Sequence, residues 1–254
     1  MPIKAGDALT IRVGTWNIDR PARNPRSKGA AIRFEIERVD ADIWVLTENR
    51  ESFQPRHDYH GVHSAPHPER RPDEDERWAS VWSRWPIRKV WEDEWSVTAN
   101  VSTPNGDLLV HGVVLPYMNE PAYGGVRVPG WTRFREELDR QRSHWIELRD
   151  ELGFTPAVLA GDFNQSLAAS RWYGSRSNRQ VVLDAFDTAG FRCETLDVVL
   201  ADDELPNRPL VDHICISKGL CRFGAVICWG PRGSGGMRLS DHPGVAVDLL
   251  GTVN

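Results

Sequence analysis

Cysteine is scarce: four occur in 254 residues, at positions 193, 215, 221 and 228. Their spacing matches none of the paired-cysteine zinc patterns, so no thiolate metal site is expected and a reducing cytoplasm is the default compartment. Cys215 and Cys228 lie in apolar runs and read as small core residues. No stretch of about 18 apolar residues occurs, so no membrane span is expected. The opening MPIKAGDALT has no apolar core, so no secretory leader is expected either. Internal repeats and long low-complexity tracts are lacking, which argues against solenoids and fibres. Lysine occurs four times, leaving arginine to supply 27 of the 31 basic residues. The guanidinium fork suits phosphate oxygens, although codon bias gives the same count. A net charge of −5 argues against a surface built to blanket a polyanion, while leaving room for a local basic face.

What is present is ordinary soluble protein, 40% hydrophobic and 26% charged. The length is enough for one substantial core, and residues 1–254 read as a single domain. Short apolar runs alternate with helical stretches. Strands are expected at Ile11–Asn17, Ile43–Thr47, Trp78–Ser83, Val97–Thr103, Leu108–Leu115, Ala157–Ala160, Val211–Ser217, Arg222–Trp229 and Gly244–Leu250. Several are solidly apolar, as strands buried on both faces are. Helical periodicity covers Lys28–Val39 and Thr132–Leu152, with Thr132 as a start cap and Gly153 as a stop; a shorter helix covers Asn178–Ala189 and ends at Gly190. The segments His57–Arg77, Pro116–Trp131 and Arg171–Arg179 read as loops. The mixture suggests an α/β sandwich.

The strand ends carry the chemistry. VGTWNID ends an apolar run in Asn17, IWVLTEN in Glu48, and PAVLAGDFNQ in Asp162 and Asn164. LVDHICIS opens one with Asp212 and His213, and LSDHPGV supplies Asp241 and His242. Sites in layered α/β folds gather at strand ends, where a rigid scaffold meets open loops. The group types suit Mg²⁺, a hard cation that takes carboxylate and carbonyl oxygens, and an imidazole beside a carboxylate suits proton transfer. Together they fit metal-assisted attack of water on a phosphorus ester. Each residue alone has a plainer reading: a Glu at a solvated strand edge, an Asp212 that caps a turn, a GDFN that closes an Asx-turn. The ordered set outweighs these.

In that order, TWNI, LTE, RWASVWSRWPI, LAGDFN, VDHICIS and SDHPGV, spanning residues 15 to 245, resemble the endonuclease/exonuclease/phosphatase superfamily. That group contains the DNase I-like nucleases, abasic-site endonucleases, inositol-polyphosphate 5-phosphatases and neutral sphingomyelinases. The resemblance implies a DNase I-like four-layer α/β sandwich, in which two packed mixed β-sheets are flanked by helices and the site lies at one edge. It implies Glu48 as principal Mg²⁺ ligand (Mn²⁺ being an alternative ion), with Asn17 as ligand or hydrogen-bond partner and Asp241 as a further metal-site carboxylate. Asp162 would position or activate the attacking water, Asn164 would hydrogen-bond the phosphate, and His242, oriented by Asp212, would contact the phosphate or act as base. One departure stands out. The family usually places a His or Tyr at the end of the strand before the long middle loop, and here VHGVVLPYMNE puts Val113, Val114 and Leu115 there. His111 is three residues from Val114, so strand alternation turns it to the opposite face. Tyr117, after Pro116, is the candidate replacement.

Among the other candidates, His57, His60, His63 and His67 fit no zinc spacing and lie in the polar loop. His213 points away from Asp212 on a strand and reads as structural, and His144 reads as a helix-surface residue. Arg171, Trp172 and Arg176 in RWYGSRSNR could grip a phosphate chain and stack bases, or form a solvated loop with a buried Trp. Arg127, Arg133 and Arg135 in the middle loop are similar. The eleven tryptophans are expected mostly in the core. The first functional expectation is a Mg²⁺-dependent phosphodiesterase acting on nucleic acid, without membrane attachment. The second is a phosphatase or lipid-directed phosphodiesterase. The third is a catalytically weak relative that only binds nucleic acid or a protein.

Overall fold

The apolar runs pair into two six-stranded sheets. The computed structural model describes residues 9–21, 28–66, 75–121, 126, 128–153, 155–168, 173–200, 208–233 and 236–251. In chain order the elements are β1 (Ile11–Asn17), α1 (Lys28–Val39), β2 (Ile43–Arg50), β3 (His60–His63), β4 (Glu76–Ser83), β5 (Ile87–Glu92), β6 (Ser96–Thr103), β7 (Gly106–Val114), α2 (Thr132–Leu152), β8 (Ala157–Asp162), α3 (Arg176–Ala189), β9 (Phe191–Cys193), β10 (Val199–Leu200), β11 (Arg208–Pro209), β12 (Asp212–Ser217), β13 (Leu220–Trp229) and β14 (Gly244–Gly251). One sheet runs β13-β14-β1-β2-β4-β3 and the other β5-β6-β7-β8-β12-β9; β10 and β11 form a separate ribbon. Both sheets are mixed, with β1–β2 and β7–β8 parallel and the remaining pairs antiparallel.

Three layers of apolar contact make the four-layer sandwich. Val13, Val45, Val81, Val97, Val110, Val158, Ile214 and Val247 fill the space between the sheets. Ile32, Ile36 and Val39 of α1 pack on Trp16, Trp44 and Leu46 on the outer face of the first sheet. Phe134, Leu138 and Trp145 of α2, with Val182 and Phe186 of α3, cover Leu109, Val113, Leu159 and Cys215 of the second. Because strands are covered on both sides, they read as unbroken apolar runs rather than alternating ones. Among the described residues, seven of the ten tryptophans are buried, as expected.

Several local expectations need correction. Thr132 does not cap α2: the preceding residue, Trp131, holds the cap position without a side-chain bond, and the Thr132 hydroxyl donates to Pro129 O at 3.0 Å. The third helix begins two residues earlier than expected, with the Ser175 hydroxyl accepting from Asn178 N at 3.1 Å, and ends as expected at Gly190 in left-handed backbone. His57–Arg77 is not all loop, because its HGVH segment adds β3 to the edge of β4. His67 lies outside the described residues. The edge strand β5, IRKVWE, was not expected because its charges blur the alternation. His144 is not a free surface residue: its ring stacks on Trp91 at 3.7 Å and it lies 3.4 Å from Thr98 Oγ1. Cys215 is buried and Cys228 half-buried, so the core reading holds better for the first.

Register places the site. Asp162 pairs with Val114 on one side and with Asp212 on the other, so three strands end together. Thr15 pairs with Val245, and Asn17 with Thr47, so β1, β2 and the start of β14 end at the same edge.

Candidate active site

At that edge the first described link is Asn17, buried to 1% exposure, whose Nδ2 donates to Glu48 Oε1 at 3.1 Å and to Asp162 Oδ2 at 3.2 Å. It thereby bridges the two sheets. Asp162 lies 4.0 Å from His242 Nδ1, which is 2.6 Å from Asp212 Oδ2. Glu48, Asp162, Asn164, Asp241 and His242 line one cleft of about 300 Å³, together with Trp78, Trp95, Val114, Leu115, Tyr117, Tyr173 and Val211. Groups spread over most of the chain therefore meet as the sequence suggested.

Local backbone explains how. Gly161 has φ +140, and a Cβ there would sit 1.9 Å from Val113 O. Only glycine allows β8 to lie against β7 in the register that aligns Asp162. The expected Gly-Asp turn is thus the end of a strand. The Asx bond exists all the same, since Asn164 N donates to Asp162 Oδ1 at 2.9 Å, leaving Oδ2 to face Asn17. Glu48 and Asn164 both take left-handed backbone, φ +48, which costs a non-glycine residue about 1–2 kcal/mol. Neither could be glycine without losing its side chain from the cleft.

His242 is fixed from three directions. Trp16 Nε1 donates to its carbonyl at 3.0 Å, Ser240 Oγ accepts from its amide at 3.0 Å, and Asp212 holds its ring. The Ser240 hydroxyl donates in turn to Asn17 O at 2.6 Å, tying the SDH turn to β1. Sequence reasoning assigned no role to Trp16 or Ser240, although both stand inside the quoted TWNI and SDHPGV motifs. Burial pushes the Asp162 carboxyl up; the nearby His242 opposes this and Asp212 adds to it, leaving the group at about 7. Burial disfavours the His242 cation, but Asp212 and Asp162 together outweigh it and bring the imidazole to about 10. The surrounding carboxylates therefore favour the imidazolium form.

The middle strand departs as read from the sequence. Val114 packs with Trp78 and Trp95, whose rings stack at 4.9 Å, and this apolar wall faces the cleft. His111 turns away, 2.9 Å from Thr98 Oγ1 and beside Phe191. Tyr117 does line the cleft and is partly exposed. His213 is buried against Thr195 and the Gln165 carbonyl, the structural place expected of it. Asp241 is exposed, with Oδ1 4.0 Å from His242 Nε2. Arg171 and Trp172 lie outside the described residues, and Arg176 is exposed at the start of α3.

A cation fits the donor set. Glu48, Asp162, Asp212 and Asp241, four carboxylates, meet Arg20 and His242, two cations, and the buried Asp212 Oδ1 has no hydrogen-bond partner. Asp162, Asp212 and His242 are themselves close enough to ligate one ion. However, the 2.6 Å contact between Asp212 and His242 is already a hydrogen bond that an ion would have to break. Glu48, whose Oε2 meets Arg20 at 2.6 Å, and Asp241 also open onto the cleft and offer further oxygen donors for a hard ion.

The fold recurs widely. The chain superposes on an AP endonuclease from Leishmania major with a TM-score of 0.69 at 12% identity, over 96% of this chain and 88% of that one. It superposes on the human nocturnin catalytic domain with a TM-score of 0.63 at 17% identity (96% and 95% covered), and on an AP endonuclease from Archaeoglobus fulgidus at 0.63 and 15% (96% and 100%). No curated protein matches it in sequence. Among the described residues no helix is long and apolar enough to cross a membrane. Residues 14–242 match the Endonuclease/Exonuclease/phosphatase family, and the chain belongs to this family of phosphoester-hydrolysing enzymes.

Proposed function

We propose that this protein is a Mg²⁺-dependent phosphodiesterase whose substrate is nucleic acid. The observation that carries the proposal is the convergence of Glu48, Asp162 and His242 in one cleft, with Asn17 bridging Glu48 and Asp162 at 3.1 and 3.2 Å and His242 4.0 Å from Asp162. Glu48 would hold the ion, with Asn17 and Asp241 around it. When bound, the ion polarises the phosphoryl oxygen and offsets charge.

The other steps fall to the protein's own groups. Asp162, with a pKa of about 7, is suited to take a proton from water near neutral pH. Asn17 and Asn164 hold its carboxylate; the Asn164 amide also donates to Leu115 O at 2.8 Å, so it reaches a phosphate only by loosening one of these bonds. His242, oriented by Asp212 and favoured as a cation by Asp212 and Asp162, would donate to a phosphate oxygen. Tyr117, which lines the cleft with Val114, would serve the leaving group. Tyr117 and Tyr173 bring accessible aromatic rings to the cleft that suit bases, and several structures of similar fold are described as endonucleases. Arg171, Trp172 and Arg176 are proposed as further contacts to the nucleic acid.

The test is a panel of single-stranded DNA, duplex DNA, RNA, inositol phosphates and phospholipid with Mg²⁺ or Mn²⁺. Wild type should cleave a nucleic acid best, and Glu48→Gln should lose about four orders of magnitude in rate while keeping its fold. Preference for the inositol phosphate or lipid would move the protein to the phosphatase or lipid branch of the family. Absence of any metal-dependent product at high enzyme concentration would make it a binding protein.

A further inference from the structure

Directly after Asn17 the chain adopts left-handed backbone at two successive side-chain-bearing residues, Asp19 at φ +46 and Arg20 at φ +43. Such strain persists only where the surroundings over-determine it. Asp19 is fastened by Asn17 Oδ1, which accepts its amide at 3.0 Å, and by Lys28 Nζ, 2.7 Å from its carboxylate. Arg20 is tied to Glu48 twice: its amide donates to Glu48 O at 2.8 Å, and its Nη1 reaches Glu48 Oε2 at 2.6 Å. The guanidinium also lies 3.5 Å from Glu76 and 5.2 Å from the centre of the Trp78 ring, against the wall of the cleft. Glu76 already has Arg50 at 3.2 Å, so the strand network does not depend on Arg20.

Both Glu48 oxygens are thus assigned. Oε1 accepts from the neutral Asn17 amide, and Oε2 from a fixed positive charge. We propose that Arg20 is a positioning residue that holds Glu48 through Oε2 and, by its charge, limits how tightly this carboxylate grips a divalent cation. This rests on the reading of Glu48 as the ion's principal ligand. A cation bound to the carboxylate feels repulsion from the guanidinium on the other oxygen, and in a partly buried setting that repulsion is only partly screened. An arginine that merely stiffened the loop would have the opposite sign of effect, because its loss would loosen Glu48 and weaken binding.

The sign decides the test. Mn²⁺ is titrated calorimetrically into the metal-free full chain as wild type, Arg20→Gln, Arg20→Met, Arg20→Lys and Glu48→Gln, with thermal unfolding in EDTA as the check of fold. Arg20→Gln keeps a donor for Oε2 and removes the charge, and should bind Mn²⁺ about tenfold more tightly. Arg20→Met, which loses the hold on Oε2 as well as the charge, should bind less tightly than Arg20→Gln, and Arg20→Lys, which keeps the charge, should stay within about twofold of wild type. Glu48→Gln should lose about tenfold or more. Binding by Arg20→Gln that is unchanged or weaker, with Glu48→Gln weakened, overturns the role given to Arg20 and leaves Glu48 as the ligand. Glu48→Gln binding like wild type overturns the reading beneath it. If Arg20→Gln or Arg20→Met is unfolded at the assay temperature, Arg20→Lys decides: more than about twofold weaker binding in that folded variant overturns the proposal.

Discussion

At the end of the sandwich away from the cleft, left-handed or related positive-φ backbone falls on Gly106, Gly153 and Gly219, and on Asp40, which ends α1. At the cleft end it falls on Asp19, Arg20, Glu48 and Asn164 as well as on Gly161 and Gly174, the latter beside the cleft-lining Tyr173. Apart from Asp40, the far end uses the residue that adopts such angles without strain. The cleft end keeps side chains where glycine would be easier, because those side chains are used. Polar bonding divides the same way. At the far end Thr103 Oγ1 donates to Gly106 O at 2.6 Å and accepts from Asn105 N at 3.2 Å, while Asp107 accepts from Asn100 and Ser102. Each end leaves a buried oxygen without a partner, Asn100 Oδ1 at the far end and Asp212 Oδ1 at the cleft, but only at the cleft do four carboxylates crowd together. One end is built for stability, and the other gives up stability for a charged, pre-set site.

Three substitutions probe this contrast. The largest effect is expected from Asp212→Asn, which keeps the shape and removes the charge that orients and protonates His242. Steady-state kinetics should show kcat down about a hundredfold or more with KM little changed. A kcat within about threefold of wild type would place Asp212 among ordinary buried residues. Next is Asp162→Asn, read as stability in metal-free protein. The folded carboxyl sits at about 7 against an ordinary 3.8, so its favourable contribution is whole below 3.8 and is lost as pH rises through 7. Asp162→Asn should therefore melt about 3 °C or more above wild type at pH 8, with the difference vanishing near pH 4. A gain that does not depend on pH would contradict the assigned cause. The smallest catalytic effect belongs to the far end. Gly106→Ala should cost about 1 kcal/mol of stability by denaturant unfolding and leave kcat unchanged. A fall in kcat there would break the division between the two ends.

Much of the site was legible because each residue stands where an apolar run stops: Asn17, Glu48, Asp162, Asp212 and His242 all carried that mark. The sandwich was legible from runs such as AVLAGD and DHICIS, which are apolar on both faces because both faces are covered. Arg20 was not legible. It follows TWNID in a stretch with no periodicity, and only the left-handed turn brings it back to Glu48. Trp78 and Trp95 were read as core, and they are, but one side of their stack also faces the cleft, which no pattern of spacing marks. The misread His144 has the same cause: its neighbour Trp91 comes from β5, a charged edge strand without clear alternation.

The central claim is that these strand ends converge on one divalent cation held by Glu48. Anomalous diffraction from crystals soaked in Mn²⁺ tests it most directly. A single strong peak about 2.1 Å from a Glu48 oxygen, inside the cleft and absent in Glu48→Gln crystals, is the predicted result. Manganese bound elsewhere on the molecule, with none against Glu48, would contradict it.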